Sequence, residues 1–285
     1  IHMRDPFVLL HEGMYYLYGS KGMISSQYPP GFDVYRCETL DGDWEGPYPA
    51  FSPGEDFWGY HGHYWAPEVH AYRGRFYMFA TFSAAWRPKG TQILVADGPL
   101  GPFVPHSDGP LTPADQECLD GTLYISRDGR PFMVYCHEWC QIHDGAVCAV
   151  PLTEDLRAAA GEPFDLFHAS EPAWADHTSG NYVTDGPFLH RTPDGSLLML
   201  WSSLDHNFTN YVQAISRSDN GEIDGRWLHD PQLLFARDGG HGMLFRDKTG
   251  QLNLILHRPN NDPMERPYRI PLEETADGLR PYAGK

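Results

Sequence analysis

One layout recurs five times along the chain, and it leaves few folds open. A polar or Gly/Pro start leads into an apolar strand, a Gly-containing turn and an aromatic-rich strand. The five copies are DPFVLLHEGMYYLYGS from Asp5, APEVHAYRGRFYMFATF from Ala66, DGTLYISRDGRPFMVYC from Asp120, DGPFLHRTPDGSLLMLW from Asp185 and HGMLFRDKTGQLNLILH from His241. Each has the signals of a β-hairpin, with Glu12-Gly13, Arg73-Gly74, Asp128-Gly129, Asp194-Gly195 and Thr249-Gly250 at the turns. The starts at 5, 66, 120, 185 and 241 are spaced by about 54 to 65 residues, the period of a repeat architecture.

Between the hairpins lie further strand-like runs. FDVYRCE, TQILVADG, GAVCAVPL and YVQAISRS supply a third strand per unit, and WEGPY, GPFVP and GRWLH begin a fourth. Four antiparallel strands repeated five times predict an all-β, five-bladed β-propeller, with residues 1–285 as one domain. The ring is expected to close where the N-terminal segment meets the last blade. The 29 Gly and 25 Pro, spread along the whole chain, suit many short strands joined by turns. PLTEDLRAAAG is the only stretch with helical composition, and it reads as a connector.

In a propeller the innermost strands surround one axis, so five distant positions become neighbours. Here they read Asp5, Ala66 with Glu68 nearby, Asp120, Asp185 and His241. Turns use Asp often, but three at equivalent starts point to chemistry. Carboxylates in pairs hydrolyse glycosides: a protonated one serves the leaving oxygen, and an ionised one activates water. A third raises the pKa of the acid by like-charge repulsion.

These motifs, in this order, resemble glycoside hydrolase family 43. They are Arg4-Asp5-Pro6, Trp65-Ala66-Pro67-Glu68, Asp120-Gly121-Thr122-Leu123-Tyr124, Asp185-Gly186-Pro187 and Gly240-His241-Gly242, and they cover essentially the whole chain. The resemblance implies an inverting hydrolase of α-L-arabinofuranosyl or β-D-xylosyl linkages in plant polysaccharides or oligosaccharides. It implies Asp5 as general base, Asp120 as the carboxylate that tunes the acid, and Asp185 at the position of the acid. It also implies a water-coordinated calcium or sodium ion on the axis near His241, and Trp65 as a wall of the sugar subsite.

The family usually places Glu where this chain has Asp185. The lost methylene shortens the reach by about 1.5 Å, and a misplacement of about 1 Å can cost on the order of 10²-fold in rate. Two nearby residues offer an alternative acid, Glu138 in CHEWCQ and Glu171 in ASEPAW. Glu138 reads equally as a sugar ligand or a salt-bridge partner, and Glu171 as a turn residue before Pro172. His63 and Trp139 are expected near the sugar. Arg258, in LHRPN, reads either as a substrate ligand or as a surface residue. The shortened acid also admits a sugar-binding propeller with impaired catalysis. The retaining five-bladed fructosidases share Arg-Asp-Pro, but their Asn-Asp-Pro-Asn segment is missing.

Composition narrows the partners. With 38 Asp and Glu against 21 Lys and Arg, the net charge of −17 argues against nucleic acid or an anionic membrane surface. No apolar run approaches the ~20 residues needed for a span. Cys37, Cys118, Cys136, Cys140 and Cys148 form no C-x-x-C pair and are expected as thiols rather than zinc ligands. His61 and His63 lack a third ligand for zinc. Asn207-Phe208-Thr209 fits a glycosylation sequon, without a secretory signal to support its use. No signal peptide is visible, so a cytoplasmic location is expected over secretion with a leader removed. The chain starts almost on a strand motif, which leaves room for an upstream segment.

Overall fold

The computed structural model describes residues 1–23, 27–175, 178–206, 209–275 and 278–282. Asn207 and Phe208 of the sequon lie outside them. Five sheets of four antiparallel strands form a β-propeller. The first blade holds β1 (Arg4–His11), β2 (Met14–Ser20), β3 (Phe32–Cys37) and β4 (Glu45–Phe51). The second holds β5 (Tyr64–Tyr72), β6 (Arg75–Ala84), β7 (Arg87–Ala96) and β8 (Val104–Pro105). The third holds β9 (Cys118–Ile125), β10 (Pro131–His137), β11 (Ala146–Pro151) and β12 (Phe164–His168). The fourth holds β13 (Asp185–Arg191), β14 (Leu197–Leu204), β15 (Tyr211–Ser218) and β16 (Trp227–His229). The fifth holds β17 (Gly240–Arg246), β18 (Leu252–Arg258), β19 (Arg266–Thr275) and β20 (Gly278–Pro281).

Within each blade the strands follow one another in sequence order, so no strand is exchanged between blades. The ring closes where β1 packs on β17, β18 and β19, with Met3 N–H donating to the Glu265 carbonyl at 3.3 Å. The expected helical connector is not one: residues 151–161 form turns and a bridge between Leu152 and Ala159. Thr153 Oγ1 donates to the Ala158 carbonyl and accepts its N–H, and Asp155 Oδ1 accepts the Arg157 N–H; these bonds hold the turns and compete with helix formation. The helix present among the described residues is α1 (Trp139–Ile142), after β10.

Middle strands are packed on both faces by neighbouring blades, so they read as unbroken apolar runs. In β14, LLMLWSSL, every residue but the last is buried. Trp201 of that strand packs against Phe167 at 5.2 Å between ring centroids, joining blades three and four. Phe82 meets Phe32, Phe51 and Phe57 between blades one and two. The hairpins at Glu12-Gly13 and Arg73-Gly74 are two-residue turns with both φ positive, the geometry that matches strand twist.

Every innermost strand carries a bulge near its start, and there one residue adopts a left-handed conformation. The bulge residues are Asp5 (φ 52), Ala66 (φ 47), Asp120 (φ 58), Gly186 (φ 51) and His241 (φ 53). The ladder therefore corrects one position of the repeat. The fourth member is Gly186, and Asp185 stands one residue earlier, level with Arg4, Trp65, Leu119 and Gly240. Gly186 cannot carry a side chain, because a Cβ there would come within 2.7 Å of the His241 ring.

The bulges also link the blades. Four of the five bulge N–H groups donate to a side chain on the second strand of the preceding blade. Ala66 donates to Ser20 Oγ (2.8 Å), Asp120 to Thr81 Oγ1 (2.8 Å), His241 to Ser202 Oγ (2.7 Å) and Asp5 to His257 Nδ1 (3.2 Å). The equivalent residue before the fourth blade is Cys136, paired with Leu119 in the ladder. There the Gly186 N–H donates instead to Asp120 Oδ2 at 3.0 Å.

Candidate active site

The bulges turn their side chains to the mouth of the funnel. One cleft of about 150 Å³ is lined by Asp5, Asp120 and Asp185, with Arg4, Trp65, Glu138, Tyr211 and His241 around them. It is smaller than the few hundred Å³ of a typical small-molecule site, a size that suits one sugar ring.

Asp5 sits among donors. Ser20 Oγ donates to its Oδ2 at 2.5 Å, and His241 Nδ1 lies 3.2 Å from its Oδ1. Burial alone would raise its pKa, but His241, Arg4 and the Ser20 hydroxyl outweigh burial and hold it down at about 2. Asp5 is therefore a carboxylate across the physiological range.

The opposite side of the funnel is arranged otherwise. Burial pushes the Asp120 carboxyl up; His241 opposes that, while Asp185 and Asp5 add to it. Burial pushes Asp185 up as well, with Glu138 and Asp5 adding to it and His241 and the Tyr211 hydroxyl opposing. Tyr211 Oη donates to Asp185 Oδ2 at 3.0 Å. The two carboxyls titrate as an interacting pair, both above the ordinary carboxylate range.

Two histidines hold opposite states. His241 opposes its own burial through Asp5, Asp120 and Asp185, and its pKa is raised. His257 is buried, accepts the Asp5 N–H through Nδ1, and is pushed down to about 3. His241 thus supplies positive charge between Asp5 and Asp120, while His257 is a neutral spacer stacked on Tyr211 at 5.4 Å.

The other expected residues divide. Trp65 lines the cleft, and His63 stacks on its ring at 4.2 Å, forming the rim rather than the floor. Glu138 is buried in the cleft wall and ion-paired with Lys89. Glu171 does not join them: Oε1 accepts the His168 N–H at 2.8 Å, and Oε2 faces His229 at 3.4 Å. It is an exposed loop residue, because the turn before Pro172 runs away from the axis. Arg258 lies over the rings of Phe235 and Tyr268, at 5.7 and 5.2 Å, and does not line the cleft. Trp139 opens α1 and also lies outside the lining. Cys37, Cys118, Cys136 and Cys148 are buried free thiols, and Cys140 is an exposed one.

Arg4 was legible within its motif but carried no role. Tyr211 and Lys89 were missed. Tyr211 opens a third strand, and strand starts at the axis are the signal that finds it. Lys89 lies in mid-strand with nothing in the sequence to mark it. For a metal near His241 the donors are few. Nδ1 faces Asp5 and Asp120, and among the described residues no three ligand atoms of His, Cys, Asp or Glu converge on it. Such a donor set fits a hydrated ion held through Nε2, and not a chelated one.

One carboxyl is held low and two are held high around a single small cleft, and that division of labour is the one a glycosidase needs. Comparison with known proteins agrees. The Glycosyl hydrolases family 43 profile matches residues 1–278. An endo-arabinase from Bacteroides thetaiotaomicron VPI-5482 is 38% identical, with 97% of this chain and 96% of that one covered and a TM-score of 0.89. An endo-1,4-beta-xylanase from the same organism is 22% identical, with coverage of 100% and 95% and a TM-score of 0.80. A Cellvibrio cellulosa alpha-L-arabinanase complexed with arabinohexaose is 16% identical, with coverage of 99% and 96% and a TM-score of 0.74. No curated protein sequence matches the chain. The chain belongs to glycosyl hydrolases family 43, and it is a glycoside hydrolase.

Proposed function

We propose that the protein is an inverting hydrolase of α-L-arabinofuranosyl linkages in plant arabinan or its oligosaccharides. The observation that carries the reading is the split between the two sides of the cleft: Asp5 held low, Asp120 and Asp185 held high. Asp5 takes a proton from water as the water oxygen bonds to the anomeric carbon. The glycosidic C–O bond breaks on the other face, and its oxygen takes the proton from Asp185. Burial, with the charges of Glu138 and Asp5, favours the proton on Asp185, and Asp120 anchors the start of blade four by accepting the Gly186 N–H. Trp65 stacks on the C–H face of the sugar. Arabinose is preferred over xylose because the relative at 38% identity is an endo-arabinase. A hydrated calcium or sodium ion near His241 would need that imidazole neutral at Nε2, and would then take the place of the imidazolium charge at the floor of the cleft.

The test is ¹H NMR of the first product formed from arabino-oligosaccharides and from aryl xyloside. We expect arabinose-terminated product of inverted anomeric configuration, and slower turnover of the xyloside. Retained configuration overturns the mechanism, and a faster xyloside overturns the substrate.

A further inference from the structure

Away from the cleft, at the seam between blades one and five, three ligand-type atoms face one another without partners. They are His2 Nε2, Asp262 Oδ1 and Glu265 Oε2, each buried and without a hydrogen bond. The Glu265 side chain is 0% exposed, His2 and Asp262 only 22% and 17%. A buried carboxylate oxygen aimed at nothing but another carboxylate and an imidazole is costly unless something binds it.

The spacing identifies what would bind. His2 Nε2 lies 3.3 Å from Asp262 Oδ1 and 3.4 Å from Glu265 Oε2, and all three atoms lie within 4.8 Å of one another. Nitrogen and oxygen ligands sit about 2.0–2.2 Å from zinc, so two of them on one tetrahedral centre are about 3.3–3.5 Å apart. Glu265 and His2 are also held from outside. Glu265 Oε1 accepts from Arg4 Nη1 at 2.6 Å, and Tyr28 Oη lies 3.5 Å from His2 Nδ1. Such outer partners orient ligands and fix which ring nitrogen faces the metal.

We propose that His2, Asp262 and Glu265 bind a divalent transition-metal ion of the zinc class, with water completing the coordination. The ion clasps the segment before β1 to the loop between β18 and β19, where no strand crosses between blades. It also fixes Glu265, and through it Arg4, the residue before Asp5. The site is independent of His241 and of the substrate assignment.

The experiment uses the untagged full chain, stripped with a chelator and titrated with zinc chloride by calorimetry and thermal melting. We expect one zinc per chain and a melting temperature raised by roughly 5 °C at saturation. We expect His2→Ala and Asp262→Asn, both at partly exposed positions, to weaken zinc affinity at least tenfold and to lose the shift. His241→Ala should keep both. An imidazolium that merely bridges two carboxylates predicts the reverse: no zinc-dependent shift, and destabilisation of His2→Ala regardless of metal. That result, or unchanged affinity in both seam variants, overturns the proposal.

Discussion

The two sides of the funnel are built from the same repeat and end in opposite charge states. On the blade-one side, Asp5 receives a serine hydroxyl and a cationic histidine, and it ionises. On the side of blades three and four, burial raises the pKa of both Asp120 and Asp185, with Asp185 and Asp5 adding to it at Asp120 and Glu138 and Asp5 adding to it at Asp185. The junctions one layer out differ as well. At four junctions Ser20, Thr81, Ser202 or His257 accepts the bulge N–H of the next blade. At the remaining junction Cys136 stands in that place, and Asp120 takes over as acceptor. That bond lowers the Asp120 pKa, so the raised state of this side comes from burial and from the neighbouring carboxylates Asp185 and Asp5.

The strongest way to break this comparison is to neutralise the low side. Asp5→Asn should lower kcat on arabino-oligosaccharides by on the order of 10³-fold, the scale of a lost general base. Steady-state kinetics check it, and equal rates would remove Asp5 as base. Asp185→Glu comes next. Tyr211 already bonds the shorter carboxylate at 3.0 Å, so an added methylene displaces the acid by about 1 Å. That predicts a loss on the order of 10²-fold. A gain instead would mean that the cleft is shaped for Glu.

The third test is pH. Activity needs Asp185 protonated and Asp5 ionised. With Asp185 raised, kcat/KM should hold through mildly acidic pH and fall as pH rises through the raised value, about tenfold per unit beyond it. With Asp5 near 2, no acidic limb from the base should appear above pH 3. The pH profile of Asp185→Asn should lack the alkaline limb; if the limb persists, another group is the donor, and Glu138 is the residue placed for it. The smallest effect concerns Cys136. A serine there would accept the Gly186 N–H and take it from Asp120. Cys136→Ser should lower kcat roughly threefold at unchanged KM, the scale of one hydrogen bond, while Cys136→Ala should leave kcat unaltered. Equal values for the two variants would separate Cys136 from Asp120.

The blade count and the placement of Asp5, Asp120 and His241 were readable because a repeat of hairpins is a local signal. The one-residue offset of Asp185 was not. A bulge changes which residue faces the axis without changing composition, and Asp-Gly-Pro at 185–187 looks like Arg-Asp-Pro at 4–6 shifted by one. Glu138 was legible as a candidate because it follows an inner-pair strand. Glu171 and Arg258 were not separable from it, since loop direction depends on contacts such as His229 and Phe235 that come from distant segments. The fourth strands of blades three and five, and the third strand of blade five, escaped notice for a similar reason: outer strands such as β19 alternate weakly and carry many charges.

Closure without strand exchange has a thermal consequence. Every other pair of neighbouring blades is joined by a covalent connection, whereas blades five and one meet by packing and a few hydrogen bonds. Local opening favours the region with fewest constraints. Asp5 is on the strand at that seam, so heating should unzip the ring there first. The enzyme would then fall silent at a temperature where most of its blades are still folded.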